Sequence, residues 1–335
     1  MLRLTCFNTA NILFESVIMK RIVPFFVLIA ALTTPFAQAT EKPLILSTIK
    51  PVHMLVSSIA GDTAESQQIV PDYASPHHYS LKPSDIRRLN RADLVFRIDP
   101  MLESQLNKSL SNIDAGKLVV LSKTKGMQLL DADHAHNNHR HNDNDHHDAH
   151  DKVDAQATDH ETEPKDYHLW LDPDNAIVMA EHIRDALTKA LPERKSQLSA
   201  NAQALIGAIK QADHDIAESL KGVTKQPFLV MHNAWQYFTH HYQLNQLGSI
   251  TQQEGLSASG KSLSKARQQI RDSGVRCIVS EVGVKTRTLA VLTEDLEVNT
   301  TEIDPLGRMI PVSDQAYPEF LRYTAEQLSG CLNVN

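Results

Sequence analysis

Short apolar runs alternate with segments of helical periodicity through most of the chain. In the first half, four runs predict strands, at residues 43–47, 67–70, 94–98 and 117–121. Apolar residues three or four apart predict a helix at 52–60, before Gly61, and another that begins near Pro83. Strands separated by helices are typical of a parallel sheet with helices on its faces.

A long helical segment divides the chain. A helix predicted from Asp174 to Leu191 ends at Pro192, and a second one over 193–221 would be about 43 Å long. Beyond it the alternation resumes, with strands at 228–231, 244–250, 277–280 and 298–303 and helices at 235–241, 263–273, 286–296 and 317–332. We therefore predict an α/β fold of two βα sandwich lobes, with mainly parallel sheets, joined by one long backbone helix.

The predicted division has four parts. Residues 1–39 form a leader and signal peptide, 40–190 an N-terminal βα lobe, 193–222 the linking helix and 223–335 a C-terminal βα lobe. The export signal begins at Met19 with a basic start, continues through an apolar stretch and ends at the small residues Ala37-Gln38-Ala39. A retained anchor is the alternative, but the apolar stretch is short for a bilayer. We expect a periplasmic protein with no direct membrane anchor.

One insert in the N-terminal lobe has an unusual composition. Residues 131–163 contain eight of the 17 histidines, ten acidic residues and two basic ones, but no Leu, Ile, Phe or Trp. Such a segment cannot bury enough apolar surface to order itself, so it is predicted to be disordered. Imidazoles and carboxylates make it a weak accessory metal binder, through His134, His136, His139, His141, His146, His147 and His150. The alternative is a solvated acidic insert whose histidines bind nothing.

The cysteine count agrees with export. Cys6 lies in the leader, which leaves Cys277 and Cys331 as an even pair. A disulfide between them would close a loop of about 55 residues and contribute roughly 4 kcal/mol to stability. Two free buried thiols are the alternative.

Three further histidines and one aspartate follow predicted strands or loops. His77 lies in the loop after the second strand, His232 directly follows 228–231, and Asp304 directly follows 298–303. His168 lies just past the last loop of the first lobe. Ligands of open α/β sheets bind beyond the carboxyl ends of the strands, so these four side chains are predicted to face one cleft. Three imidazoles and a carboxylate suit tetrahedral Zn²⁺.

Each of these residues alone has a simpler interpretation as a turn or capping residue. His53, His182, His214, His240 and His241 fall on predicted helices, and we interpret them as surface or packing residues. His78 stays open, because it neighbours His77 and nothing in the spacing excludes it.

Four motifs carry a resemblance to a known family. They are Ser75-Pro76-His77, the segment 166–173 (DYHLWLDP), the segment 231–238 (MHNAWQYF) and Ile303-Asp304-Pro305-Leu306-Gly307. Over nearly the whole mature chain the sequence resembles the metal-binding solute receptors of ABC transporters, and its His-rich insert resembles the ZnuA-type zinc-uptake branch. The resemblance implies two lobes with metal between them, and it maps the ligands to His77, His168, His232 and Asp304.

The sequence departs from that family at two places. Some zinc members have a glutamate before the first histidine, where this chain has Pro76, so Asp304 or a water is expected as fourth ligand. Relatives usually have a proline after the glutamate of Ser280-Glu281-Val282-Gly283. His232 resembles zinc members, since manganese receptors have glutamate there. The two cysteines match positions that form a disulfide in some zinc members.

We therefore predict a high-affinity periplasmic Zn²⁺ receptor that delivers its ion to the membrane permease of an ABC importer. Zn²⁺ is its transported ligand, and the chain is expected to be a monomer that binds no nucleic acid and is not an enzyme. One alternative is a periplasmic zinc buffer or adhesin without a transport role. The other is an exported zinc hydrolase, which needs an open coordination position and a general base, and the chain lacks HExxH.

Overall fold

The computed structural model describes residues 41–132, 164–251 and 258–333. Its elements belong to one compact unit, Lys42–Asn335. The predicted leader, signal peptide and His-rich insert lie outside the described residues, except for residues 131 and 132 at the start of the insert. The strands are β1 Leu44–Ser47, β2 Glu65–Gln68, β3 Leu94–Arg97, β4 Leu118–Val120, β5 Phe228–His232, β6 Gln246–Thr251, β7 Cys277–Ser280 and β8 Asn299–Glu302.

The helices connect these strands in the predicted order. They are α1 Lys50–Ala60, α2 Pro83–Arg91, the single turn α3 Asn107–Leu110, α4 Pro173–Ala190, α5 Lys195–Leu220, α6 Gln236–His241, α7 Gly260–Ser273, α8 Thr286–Thr293 and α9 Ala316–Leu332. Helices α1, α2 and α4 begin with a proline at their first turn, where the missing N–H costs no hydrogen bond. Asp172 caps α4 by accepting the backbone N–H groups of Asp174 and Asn175.

Two separate sheets confirm the predicted fold class. The first has the order β2–β1–β3–β4 and the second β6–β5–β7–β8, and all neighbouring strands are parallel. Strands β1, β3, β5 and β7 are buried along their whole length, as near-continuous apolar runs in a parallel sheet require. We call each sheet with its helices a lobe, N-terminal and C-terminal in chain order.

The second strand is displaced from its prediction at 67–70. Its buried residues Ile69 and Val70 follow β2, whereas the paired strand begins two residues earlier than predicted, at the exposed Glu65 opposite Leu44. Burial produces the apolar signal, but hydrogen bonding to β1 sets where the strand begins. Among the described residues, no helix has the length and apolar character needed to cross a membrane.

The long helix α5 connects the lobes. Its 26 residues span about 39 Å, and one buried stripe, Leu198, Ala202, Leu205, Ile209, Ala212, Ile216 and Leu220, runs along it. The helix packs against α1 and α4 of the N-terminal lobe and against α9, which follows the second sheet. A single apolar cluster includes core residues of both lobes. Bending the lobes apart would therefore expose continuous core, which favours a rigid frame.

The predicted disulfide is present. Cys277 at the start of β7 is bonded to Cys331 near the end of α9, and their Cα atoms are 5.7 Å apart. The bond fixes the last helix against the second sheet. It therefore anchors the strand that ends directly before Glu281.

Candidate metal centre

Two loops and the end of strand β5 bring three histidines together. His77 lies in the loop after β2, His168 immediately before the short turn Leu169–Leu171, and His232 at the last position of β5. Each pair of imidazole centroids is 5.2 to 5.9 Å apart, and one nitrogen from each ring lies within 4.8 Å of the others. His168 and His232 are buried, and His77 is half-buried. This arrangement brings together the three histidines predicted from the sequence.

A carboxylate fixes the orientation of His168. The Oδ1 atom of Asp166 lies 2.6 Å from the ring Nδ1 and also accepts the backbone N–H of His168 at 2.9 Å. A carboxylate only accepts hydrogen bonds, so Nδ1 carries the proton and Nε2 is the nitrogen suited to binding a metal. This carboxylate–imidazole pair is the usual arrangement behind a metal ligand, where it holds the ring and raises its basicity.

A buried carboxylate also faces His232, close to the ring but without hydrogen-bond geometry. Its Nδ1 lies 3.3 Å from Oε1 of Glu281, and both side chains are almost completely buried. Glu281 directly follows β7, which pairs with β5 in parallel. Two of the three imidazoles therefore have a buried carboxylate on the Nδ1 side, as expected for rings that present Nε2 to a metal ion.

Tyr237 connects Asp166 to the C-terminal lobe. Its buried hydroxyl donates to the backbone carbonyl of Asp166 at 2.7 Å and accepts the backbone N–H of Leu130 at 3.0 Å. Burial raises the pKa of Tyr237 well above its usual range, so the hydroxyl keeps the proton it donates. Because α6 begins four residues after His232, this tyrosine links the segments that carry two of the histidines.

Comparison with known proteins identifies the family. Residues 45–331 match the model of the family described as "ZnuA: Zinc-uptake complex component A periplasmic". The chain belongs to the ZnuA family. It is 31% identical to the high-affinity zinc uptake system protein ZnuA of Haemophilus ducreyi, over 86% of this chain and 93% of that relative. It is 30% identical to the protein of the same name from Brucella suis, over 88% and 93% of the two chains.

Solved structures share the fold of this ZnuA-family chain. A crystal structure of ZnuA has a TM-score of 0.69 at 19% identity and covers 87% of this chain and 99% of its own. The periplasmic zinc-binding protein TroA from Treponema pallidum has a TM-score of 0.69 at 16% identity, with coverage of 87% and 99%. The two-lobed α/β architecture is therefore shared with these two solved structures.

The remaining predicted ligand, Asp304, lies in a tight turn after β8. Its Oδ1 accepts the N–H of Leu306 at 3.0 Å, its Oδ2 accepts the N–H of Arg308 at 2.5 Å, and the Arg308 guanidinium is 3.5 Å away. Gly307 has a φ of +60°, and a Cβ there would come within 2.6 Å of the Phe320 ring, so this turn needs glycine. These contacts hold the buried carboxylate in place, and its role as fourth ligand stays a prediction.

A hydrogen bond across the lobes aligns this turn with His168. The indole Nε1 of Trp170 donates to the carbonyl of Pro305 at 2.7 Å, and the Tyr317 hydroxyl donates to the carbonyl of Trp170 at 2.5 Å. All of these groups are buried. The two lobes therefore present His168 and Asp304 from segments that are fixed to each other.

The other histidines have different positions. His78 is exposed, with its ring centroid 6.3 Å from that of His77, and is not one of the three grouped imidazoles. His53 is buried on α1, and burial next to Lys50 lowers its pKa to about 4, so it is a neutral core residue at physiological pH. The seven predicted accessory ligands, His134, His136, His139, His141, His146, His147 and His150, lie outside the described residues.

Sequence reasoning missed Asp166, Glu281 and Tyr237. Glu281 directly follows a strand, which is the same signal that indicates His232 and Asp304, so the rule that identifies the histidines applies to it too. Asp166 lies two residues before His168, a spacing at which an aspartate commonly bonds to nearby backbone. Tyr237 gives no such signal, since its helical position indicates only that it is buried.

Proposed function

We propose that this chain is a periplasmic receptor that binds one Zn²⁺ ion between His77, His168 and His232 and delivers it to the permease of an ABC importer. The observation that carries the proposal is the convergence of three imidazoles, two of them backed by buried carboxylates. The proposed division follows the sequence: an N-terminal lobe at 40–190, a linking helix at 193–222 and a C-terminal lobe at 223–335. The ion lies between the two lobes.

The donor set favours zinc. Imidazole nitrogens suit Zn²⁺, whereas oxygen-rich sites suit Mg²⁺, Ca²⁺ and Mn²⁺. The relatives from Haemophilus ducreyi and Brucella suis are named as high-affinity zinc uptake proteins, which supports the same cargo here. Asp304 or a water molecule completes a tetrahedral shell.

Binding and release take the place of catalysis. Neutral imidazoles bind the ion and protonated ones do not, so affinity falls as the pH drops below about 6. The rigid frame around α5 keeps the ligands close to their binding positions, which reduces the cost of ordering them around the ion. We propose that the receptor acts as a monomer, without a membrane anchor, and catalyses no reaction. The histidines of the insert at 131–163 are proposed as weak accessory metal ligands.

A competition titration tests the site. Zinc would be partitioned between the protein and a fluorescent chelator, with the His-rich residues 133–163 deleted to remove background binding. We expect His168→Ala to weaken the tight site more than 100-fold, because losing only a hydrogen-bond partner behind a ligand already costs roughly 10- to 100-fold. His78→Ala is the matched control, since His78 is exposed and adjacent to His77. Equal affinity of the His168→Ala variant and the control would overturn the assignment of the site.

A growth experiment tests the transport role. A strain lacking the gene would be starved of zinc and complemented with the wild-type chain or the His168→Ala variant. A receptor restores growth only when its site is intact. If the strain without the gene takes up zinc normally, the protein is a buffer and the transport proposal fails.

A further inference from the structure

A second cluster of metal-binding side chains lies where three helices meet. His241 is the last residue of α6, Asp172 and Asp174 lie at the start of α4, and Asp213 lies on α5. These helices come from the C-terminal lobe, the N-terminal lobe and the helix between them. His77, His168 and His232 form a separate group, so this cluster is not part of the proposed receptor site.

The distances suit a small divalent cation. Nδ1 of His241 is 3.6 Å from Oδ1 of Asp172 and 3.9 Å from Oδ2 of Asp174. Ligand atoms about 2.1 Å from a tetrahedral ion are about 3.4 Å apart. The ligand atoms of all three side chains lie within 4.8 Å of one another, so modest side-chain movements would bring them onto one ion.

The fourth side chain determines which nitrogen faces this space. The Nε2 atom of His241 lies 2.8 Å from Oδ1 of Asp213, and a carboxylate only accepts, so Nε2 carries a proton. In the neutral ring Nδ1 then presents its lone pair towards Asp172 and Asp174. A lone pair facing two carboxylates is unfavourable unless a cation lies between them. Oδ1 of Asp172 accepts the backbone N–H groups of Asp174 and Asn175, which offset part of its charge, but Asp172 is too buried for water to screen the rest well.

We propose that His241, Asp172 and Asp174 form a second divalent-cation site, of the kind that takes Zn²⁺, with Asp213 as the partner that orients the imidazole. The donors are one imidazole nitrogen and two carboxylate oxygens, with water completing the shell. The side chain of Asp174 is 62% exposed and has to be ordered on binding, so this site is weaker than the three-histidine site. An ion here joins the N-terminal end of α4 to α6, and so tightens the junction of the lobes.

A proton competes with the metal for the same nitrogen. Burial by itself would lower the pKa of His241, but the hydrogen bond with Asp213 and the charges of Asp172 and Asp174 outweigh it and raise that pKa. Burial also raises the pKa of Asp172, although the nearby His241 opposes this. Because protonated His241 has no lone pair for a metal ion, metal occupancy should increase as the pH rises and the proton leaves.

Crystals of the full chain provide the direct test. They would be soaked in zinc and measured on both sides of the zinc absorption edge. We expect an anomalous peak about 2.1 Å from Nδ1 of His241, in addition to one at the three-histidine site. A peak at the three-histidine site alone would mean that only a proton is held between the carboxylates, and would overturn the proposal.

Equilibrium dialysis extends the test to solution. The full chain, His241→Gln and His240→Gln would be compared at the same free zinc concentration, so that binding by the His-rich insert is common to all. We expect His241→Gln to lose one zinc per chain and His240→Gln, an exposed neighbour on the same helix, to lose none. Identical counts for both variants would overturn the proposal, even with a crystal peak, since binding would then occur at crystal concentration only.

A third variant separates metal binding from folding. Asp174→Asn keeps the size of an exposed side chain and removes one proposed donor, so the fold should be unaffected. We expect it to lose the same zinc ion with an unchanged unfolding midpoint in metal-free buffer. If this variant bound as many zinc ions as the wild type, Asp174 would not be a ligand and the proposal would fail. Tight binding at the three-histidine site is measured separately, so failure here leaves the proposed function intact.

Discussion

Two clusters around histidine lie at the junction of the lobes, and they differ in donors and surroundings. The first combines three imidazoles, of which two are buried and have a carboxylate behind the ring. The second combines one imidazole with two carboxylates, one of them well exposed. In the first we propose that the carboxylates orient the ligands, whereas in the second they would be ligands themselves. The same residue types would then produce a tight site in one place and a weaker site in the other.

The largest difference should appear when one imidazole is removed from each cluster. His232→Ala should weaken tight zinc binding more than 100-fold, beyond the roughly 10- to 100-fold effect of losing a residue that only supports a ligand. His241→Ala should leave the tight affinity unchanged. Chelator competition measures both variants. If the two substitutions weakened tight binding equally, the clusters would not be independent sites.

Removing a carboxylate behind a ligand should have a smaller effect. Glu281→Gln replaces the buried partner of His232 with a neutral side chain of similar shape, and we expect a roughly 10- to 100-fold loss of zinc affinity. Glu302→Gln, on the exposed face of the adjacent strand, is the matched control and should have no effect. A Glu281→Gln variant with wild-type affinity would show that His232 needs no orienting carboxylate.

The hydroxyl of Tyr237 should contribute mainly through stability. Tyr237→Phe leaves the carbonyl of Asp166 and the N–H of Leu130 without their partner, which costs roughly 1–3 kcal/mol of unfolding free energy. Urea unfolding of the metal-free protein measures this loss. If Asp166 depends on Tyr237 for its position, zinc affinity falls as well. A variant with both properties unchanged would exclude Tyr237 from the support of the site.

The smallest effect concerns the pH dependence of the second cluster. Folding raises the pKa of His241, so its stabilising contribution is complete below the unfolded value of about 6.5 and is lost as the pH rises through the folded value. In zinc-free buffer, wild type should exceed His241→Gln in stability at pH 6, by on the order of 1 kcal/mol, and the difference should narrow by pH 8.

Zinc should prevent this narrowing of the stability difference at pH 8. At saturating zinc the metal replaces the proton on His241, so the advantage of wild type over His241→Gln should persist at pH 8. Thermal unfolding at pH 6 and pH 8, with and without zinc, gives the four values needed. An advantage that vanishes at pH 8 under both conditions would mean that His241 binds protons only.

The architecture and the three histidines were predictable because local signals determine them. Buried parallel strands are near-continuous apolar runs, so β7 was predicted at its observed residues, 277–280. Ligands bind beyond the carboxyl ends of such strands, and that rule predicts His77, His168 and His232 as candidate ligands. The disulfide was predicted from an even cysteine count together with the predicted export signal.

The partners of these histidines depend on contacts between distant residues. Asp213 and His241 are 28 positions apart in the sequence, and they come together where α6 contacts α5. Helical periodicity indicates only which face of α6 is buried, so it gave His241 a packing role and no partner. Local sequence patterns therefore could not predict the second cluster. The roles of Asp304 and of the His-rich insert remain predictions.

The disulfide gives the receptor site a dependence on redox conditions. Cys277 opens the strand that ends directly before Glu281, and its bond to Cys331 is what anchors that strand to the last helix. Once the bond is reduced, β7 is less constrained. Glu281, which directly follows β7, then orients the His232 ring less well. Affinities measured in the presence of dithiothreitol would thus describe a weaker receptor than the oxidised protein. Preparations that differ only in the presence of a reducing agent should therefore give different zinc affinities.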